Sequence, residues 1–290
     1  MSALLDIRDL DLWLEARPPR RLLRRVSLQV APGQIAGLVG ESGAGKTMVS
    51  RVVLGIAPAN ARVKHGCVVF DGRDITHLSE AQRRHLLGRE IAFIPQNPMT
   101  ALNPVERIES QIADVLRMHL DLDRAAARDR AATLLREVHL REPDKILRQY
   151  PHELSGGMRQ RVLIAIAFAC KPKLVIADEP TTALDVTVQK QILQLIRELQ
   201  RNSGTAILFI THDLGVVAKL CDRVVVMHGG RVLESASAAQ LFASPVHDYT
   251  RALFAATPRF DRPGDELKPI PAALTQRLVE EARALDARDA

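Results

Sequence analysis

The sequence contains the stretch Gly40-Glu41-Ser42-Gly43-Ala44-Gly45-Lys46-Thr47, which has the G-x-x-x-x-G-K-[ST] spacing of a phosphate-binding loop. An apolar run, Ile35 to Val39, precedes it, and a helical pattern, Met48 to Ile56, follows. This context is required, because such a loop joins a strand to a helix whose positive N-terminal end faces the anion. The stretch therefore predicts an α/β fold with a P-loop at the end of a core strand.

The residue types in this loop suit a polyphosphate. Its three glycines allow tight turns and close approach of the backbone, so that successive N–H groups surround the anion. Lys46 can reach the β- and γ-phosphates, and the hydroxyl of Thr47 can complete the coordination of Mg²⁺. We expect Gly40 to Thr47, with Met48 at the helix start, to bind nucleotide. A glycine-rich turn with a solvated lysine is the alternative, and the flanking strand and helix argue against it.

Polar residues follow three further apolar runs, after Ile94, Ala177 and Ile210. Gln96 comes first, and alone it would be an ordinary loop glutamine. Asp178 and Glu179 end a continuous apolar run typical of a buried parallel strand, so both point to the ligand edge of the sheet. Asp178 suits the Mg²⁺ shell, and Glu179 can polarise a water that attacks the γ-phosphate. His212 could contact that phosphate, although a lone histidine here is more often structural.

Ser155-Gly156-Gly157-Met158 precedes the apolar helix predicted from Val162 to Ala169. A serine and glycines at a helix start form a capping site and also an anion site. Ser155 could therefore be a simple N-cap, but the second glycine favours the close approach of a ligand.

The N-terminal segments mostly alternate apolar and polar residues, from Leu4 to Leu14 and from Val26 to Val30, which predicts a small antiparallel sheet. Trp13 is the local candidate to stack on an adenine ring, or else a strand residue packed on the core. Between these strands lies the basic cluster Arg17 to Arg25, which we predict to be the solvent-exposed rim of a loop and not a surface that binds nucleic acid.

Composition excludes several classes of protein. The chain has 290 residues, 40 basic and 34 acidic side chains and 3% aromatic residues, which are too few and scattered for a base-stacking platform. No apolar run is long enough to span a membrane, and the N-terminus lacks the layout of a signal peptide. We therefore expect a cytosolic or peripheral protein.

With these motifs in this order, residues 4 to 250 resemble the ATP-binding subunit of an ABC transporter. The resemblance implies that Gly40 to Met48 bind ATP and that Thr47, Gln96 and Asp178 hold Mg²⁺. It also implies that Glu179 is the catalytic base and His212 the switch histidine, while Asp185 belongs to the D-loop. Ser155 to Met158 would be the signature motif, which contacts the ATP held by the P-loop of a second, head-to-tail ATPase domain.

The resemblance also implies a fold and a domain organisation. We expect a P-loop NTPase of the ABC type, with a parallel core sheet, an N-terminal antiparallel β subdomain and an inserted α-helical subdomain. The ATPase domain would cover residues 1–250, with the helical subdomain at about 97–170, and residues 251–290 would form a short C-terminal extension.

Three shorter stretches resemble the di/oligopeptide and nickel importer branch of the ABC transporters: residues 96–104, the signature motif with Met158, and residues 245–253. Asp248 departs from the branch, which commonly has proline there, and the tail after Pro258 has no cysteine for the iron–sulfur cluster of some relatives. The branch implies two permease subunits, a second ATPase (sister or self), an indirect solute-binding partner, and a place on the cytoplasmic face of the bacterial inner membrane. The tail pattern, Ala272 to Leu285, predicts a surface helix with frayed ends.

Two other functions remain open at this point. An accessory ATPase of a carbon–phosphorus lyase would share these motifs and act with soluble enzymes. An ABC ATPase acting on nucleic acid would usually carry coiled-coil insertions or two cassettes, and the sequence has neither.

Overall fold

Strands and helices alternate along most of the computed structural model, which describes residues 3–182, 184–257 and 268–288. The strands are β1 (Leu5–Leu14), β2 (Arg20–Val30), β3 (Ile35–Val39), β4 (Ala61–Phe70), β5 (Arg73–Asp74), β6 (Ile91–Ile94), β7 (Leu174–Asp178), β8 (Ala206–Thr211), β9 (Arg223–His228) and β10 (Arg231–Ser237). The helices are α1 (Lys46–Leu54), α2 (Glu80–Leu86), α3 (Pro98–Ala101), α4 (Ile108–Leu120), α5 (Arg124–Glu137), α6 (Pro143–Arg148), α7 (Gly156–Phe168), α8 (Val186–Ser203), α9 (Leu214–Leu220), α10 (Ala238–Ala243), α11 (Asp248–Ala255) and α12 (Ala272–Arg288).

These elements fall into two compact units. The first unit combines residues up to 78 with those from 208 onward, and the second comprises residues 79–207. None of the helices in the described ranges is long and apolar enough to cross a lipid bilayer.

An antiparallel sheet in the first unit has the strand order β2-β1-β4-β5 and confirms the predicted β subdomain. The solvated basic rim expected before Val26 is wrong for Arg21, because β2 already begins at Arg20 and turns Arg21 inward. The Arg21 side chain is 1% exposed, and its Nε donates to Asp11 Oδ1 at 2.9 Å. The carboxylate compensates the buried charge, which is the condition for burying an arginine.

The P-loop strand belongs to a second sheet of the first unit. β3 pairs in parallel with β9, with Val39 opposite Val226, and β10 returns antiparallel to β9. Because parallel strands end at the same edge of a sheet, the loop after β3 lies beside the Gly229–Gly230 turn after β9. The Gly230 N–H donates to the carbonyl of Ala44 at 2.9 Å, so this turn supports the loop from behind.

The tail helix α12 is a surface helix, as predicted, since most of its residues are exposed, and it packs on the first unit by one face. Leu278 and Ala282 are buried, and Asp286 forms a bidentate ion pair with Arg24 of β2 at 2.8 and 2.6 Å. Arg24 also donates to the carbonyl of Gly229 at 2.7 Å. Hydropathy alone missed this contact because its partners are far apart in sequence. Residues 258–267 and 289–290 of the predicted extension lie outside the described residues.

The second unit contains the parallel pair β6 and β7, with Ile94 opposite Ala177, and a stretch of helices from α3 to α7. That stretch agrees with the predicted helical insertion. Helix α7 begins at Gly156, ahead of the apolar stretch that starts at Val162, and Ser155 is its N-cap, because its side chain accepts a hydrogen bond from the Met158 N–H at 3.3 Å. This N-cap satisfies a helix-terminal donor and lets the two glycines form the first turn.

Candidate functional site

The P-loop adopts a backbone that its glycines make possible. Gly40, Gly43 and Gly45 have φ angles of 152°, 82° and 101°, which side chains rarely allow. A Cβ at Gly40 would lie 2.2 Å from the carbonyl oxygen of Met227, whereas a Cβ at Gly43 would meet no atom within 4 Å. Gly40 is therefore needed because the loop packs closely against β9. Gly43 is needed for its backbone conformation, and it lies on the open side of the loop, where an anion would lie.

Lys46 reaches from the first turn of α1 back across this loop. Its side chain is buried, and Nζ donates to the carbonyls of Gly40 at 2.8 Å and Glu41 at 2.9 Å. These hydrogen bonds hold the loop, here called the cradle (residues 40–46), around the Lys46 ammonium group. A backbone loop around a fixed positive charge is the arrangement that binds a polyphosphate. Thr47 follows on the exposed side of α1. The residues present therefore fit a bound nucleotide.

Gln96 and Glu179 meet in the second unit. They follow β6 and β7, which are parallel neighbours, and the Gln96 amide Nε2 donates to Glu179 Oε2 at 2.9 Å. Asp178, the last residue of β7, is only 6% exposed. The sequence predicted that these residues lie at one sheet edge but not that Gln96 contacts Glu179 directly.

Sequence reasoning missed Thr182 as a partner of Glu179. Its hydroxyl donates to the same Oε2 of Glu179 at 3.0 Å, and Glu179 itself has a φ of 47°, unusual for a residue with a side chain. Backbone strain of this kind persists where surrounding contacts fix the geometry, as they commonly do at functional sites. A hydroxyl three residues after the acid pair was the available sequence signal.

We expect Thr182→Val to lower kcat for nucleotide hydrolysis by roughly tenfold, because a hydrogen bond to a charged group contributes about 1.5–3 kcal/mol. KM should change little, since Thr182 contacts the proposed base and not the P-loop. Steady-state hydrolysis measures both constants, and Thr182→Ser, which keeps the hydroxyl, serves as the control. A loss of equal size in Thr182→Ser would remove the hydrogen bond as the explanation.

Two predicted residues of the second unit serve as helix N-caps. Ser155 and Gly156 are exposed at the start of α7, and a Cβ on Gly157 would lie 3.0 Å from Val188 Cγ1 of α8. Asp185 caps α8 by accepting from the N–H groups of Thr187 and Val188, both at 3.0 Å. Capping occupies the acceptor side of Ser155, so its hydroxyl proton stays available to an anion at this helix terminus.

His212 and Trp13 belong to the first unit with the P-loop. His212 is exposed directly after β8. Trp13 is 8% exposed in β1, with Lys64 Nζ 4.5 Å and the Arg21 guanidinium 5.5 Å from its ring centre. These cations already contact the indole face, so an adenine ring could stack there only after Lys64 or Arg21 moved.

Comparison with known families gives two matches. The family described as ABC transporter matches residues 23–182, and the family described as oligopeptide/dipeptide transporter, C-terminal region, matches residues 233–282.

Several curated proteins are similar to this chain. A probable peptide ABC transporter ATP-binding protein, y4tR of Sinorhizobium fredii, is 49% identical over 88% of this chain and 77% of its own length. The dipeptide transport ATP-binding protein DppD of Escherichia coli is 43% identical over 93% of this chain and 83% of its own. The peptidoglycan transport ATP-binding protein YejF of Agrobacterium fabrum is 45% identical over 99% of this chain, which spans only 55% of that relative.

The fold also matches a solved structure. The dimeric ATP-binding cassette MJ0796, in a post-hydrolysis state bound to ADP and Pi, aligns with a TM-score of 0.72 at 24% identity, covering 81% of this chain and 98% of that one. The likeness confirms the predicted α/β cassette fold.

Proposed function

We propose that this chain, which belongs to the ABC transporter family, is the subunit that binds and hydrolyses ATP for an importer of peptides or a related small solute. The match of residues 233–282 to the oligopeptide/dipeptide transporter C-terminal region carries the importer assignment. A carbon–phosphorus lyase accessory role and a role on nucleic acid are not favoured, since the named relatives are transport proteins.

The predicted site residues other than Trp13 then have proposed roles. Gly40 to Met48 bind ATP, Glu179 acts as the base for the attacking water, and His212 contacts the γ-phosphate. Thr47, Gln96 and Asp178 offer hydroxyl, amide and carboxylate oxygens, which are hard ligands suited to Mg²⁺. Bound there, Mg²⁺ would neutralise charge on the β- and γ-phosphates. Ser155 to Met158 contact ATP held by a second ATPase subunit, with Asp185 beside them.

The proposed partners follow from this assignment. They are two transmembrane permease subunits, a second ATPase subunit that is either a sister or another copy, and, indirectly, a solute-binding protein. The chain would sit at the cytoplasmic face of a bacterial inner membrane. We propose the domain division stated above, with an ATPase domain over residues 1–250, its helical subdomain at about 97–170, and an extension over residues 251–290. The helical stretch α3–α7 supports it.

A pull-down from detergent-solubilised native membranes tests the proposal. The full chain carries an affinity tag, and mass spectrometry identifies the proteins that co-purify. Two permease subunits and an ATPase are the expected result, and the matching solute-binding protein can then be screened against di- and oligopeptides.

Other outcomes of the pull-down would overturn the transport assignment. Recovery of soluble enzymes without permeases would favour the lyase-type role, and recovery of nucleic acid with salt-dependent binding would favour the other alternative. The Lys46 variant discussed below, tested in parallel, shows whether ATP binding stands independently of the partners.

A further inference from the structure

The hydroxyl of a buried tyrosine in the C-terminal region, Tyr249, contacts the phosphate-binding loop. The Tyr249 ring, on α11, is fully buried, and its hydroxyl donates to Glu41 Oε2 at 3.0 Å. Burial, together with the charge of Glu41, raises the pKa of Tyr249 above its usual range, so the hydroxyl keeps its proton at every working pH. The loop acid therefore has a constant hydrogen-bond donor that its own segment does not supply.

Contacts on both sides fix the position of this ring. The Glu234 carboxylate of β10 accepts from the N–H groups of Val246 and His247 at 2.8 and 3.0 Å. His247 Nδ1 in turn accepts from the Tyr249 N–H at 3.0 Å and caps α11. The ring edge meets His228 of β9 at a centroid distance of 4.7 Å. The start of α11 is thus tied to the hairpin that lies behind the P-loop.

Glu41 is an unfavourable residue beside a polyphosphate unless its side chain is directed away. Its carbonyl accepts from Lys46 Nζ at 2.9 Å, so its backbone forms part of the cradle while its carboxylate carries a negative charge. Like charges repel more strongly near a protein surface than in bulk water. A carboxylate able to rotate over the cradle would weaken the binding of phosphate groups.

We infer that Tyr249 is a positioning residue for ATP binding, which holds the Glu41 carboxylate towards α11 and away from the phosphate-binding loop. The inference rests on the proposed function, because it takes ATP as the ligand of the loop. It gives the C-terminal region, which lies far from the P-loop in sequence, a direct role in nucleotide affinity.

Equilibrium binding of a fluorescent ATP analogue to the full chain tests the inference. Tyr249→Phe keeps the buried ring and removes only the hydroxyl, and we expect it to raise Kd by about tenfold. Glu41→Asp shortens the acid by one methylene while keeping its charge, so the hydrogen bond to Tyr249 is lost. The change is made at the exposed partner, Glu41, and leaves the buried tyrosine intact. We expect the same direction of change, and this variant remains informative if Tyr249→Phe does not fold.

Rescue distinguishes positioning from packing. Glu41→Gln removes the repelling charge, so the double variant Tyr249→Phe with Glu41→Gln should bind within about twofold of wild type, a non-additive result. The penalty of Tyr249→Phe, as a ratio of Kd values, should also shrink as ionic strength rises. A purely structural loss would respond to neither change.

Asp248→Asn weakens the exposed ion pairs of Asp248 with Arg251 of α11 and Arg277 of α12 without touching the loop, and should leave Kd unchanged. Wild-type affinity in Tyr249→Phe, or failure of Glu41→Gln to rescue it, would overturn the inference. Absence of ATP binding in the wild-type chain would instead overturn the proposed function.

Discussion

Replacing Glu179 with glutamine should lower the rate of ATP hydrolysis by about 100-fold or more, because removal of a general base typically costs 10²–10⁴ in rate. ATP binding should persist. Gln96 Nε2 and Thr182 Oγ1 both donate to Glu179 Oε2, and the amide oxygen of a glutamine can accept the same two hydrogen bonds. The variant therefore keeps the shape of the site and loses the carboxylate that we propose takes the proton from water.

Single-turnover hydrolysis and equilibrium ATP binding, measured on the same preparation, check this expectation. Glu80→Gln, a matched change at an exposed residue of α2 in the same unit, should hydrolyse ATP at the wild-type rate. A Glu179→Gln rate within about threefold of wild type would exclude this residue as the base.

Local patterns predicted the elements that build the site. The apolar run from Ile35 to Val39 predicted β3 with its observed bounds, and the polar residues after β6 and β7 do meet at one sheet edge. Such predictions succeed because a buried parallel strand has a distinctive composition and its carboxyl end has a fixed direction. The P-loop was predictable for the same reason, since its glycines serve local backbone geometry.

Contacts between distant segments were not predictable. Arg21 looked like a solvated charge, and only its register opposite Trp13, with Asp11 close by, makes it a buried ion-pair partner. The tail helix likewise depends on Asp286 meeting Arg24, and the Tyr249 hydroxyl on meeting Glu41. Charge and hydropathy patterns carry no information about which pairs the fold brings together.

Replacing Lys46 with methionine should raise the Kd for ATP by about 100-fold, because truncating one partner of a buried, hydrogen-bonded charge pair costs about 2–5 kcal/mol. Methionine keeps an unbranched apolar stem in the buried position and removes the ammonium group. Two effects then add: the phosphates lose their cation, and the carbonyls of Gly40 and Glu41 lose the donor that holds the cradle. Equilibrium ATP binding measures the change, and hydrolysis at saturating ATP shows whether any activity survives.

Comparison of the two variants separates binding from chemistry. Glu179→Gln should bind ATP and fail to hydrolyse it, whereas Lys46→Met should fail at binding, because the ammonium acts on the phosphates before any bond breaks. Lys145→Ala, at an exposed residue of α6 paired only with a neighbouring glutamate in the contacts described, controls for the loss of one positive charge. Unchanged ATP affinity in Lys46→Met would mean that the loop does not hold the nucleotide through this lysine. That result would also contradict the ATP-binding role proposed for the other loop residues.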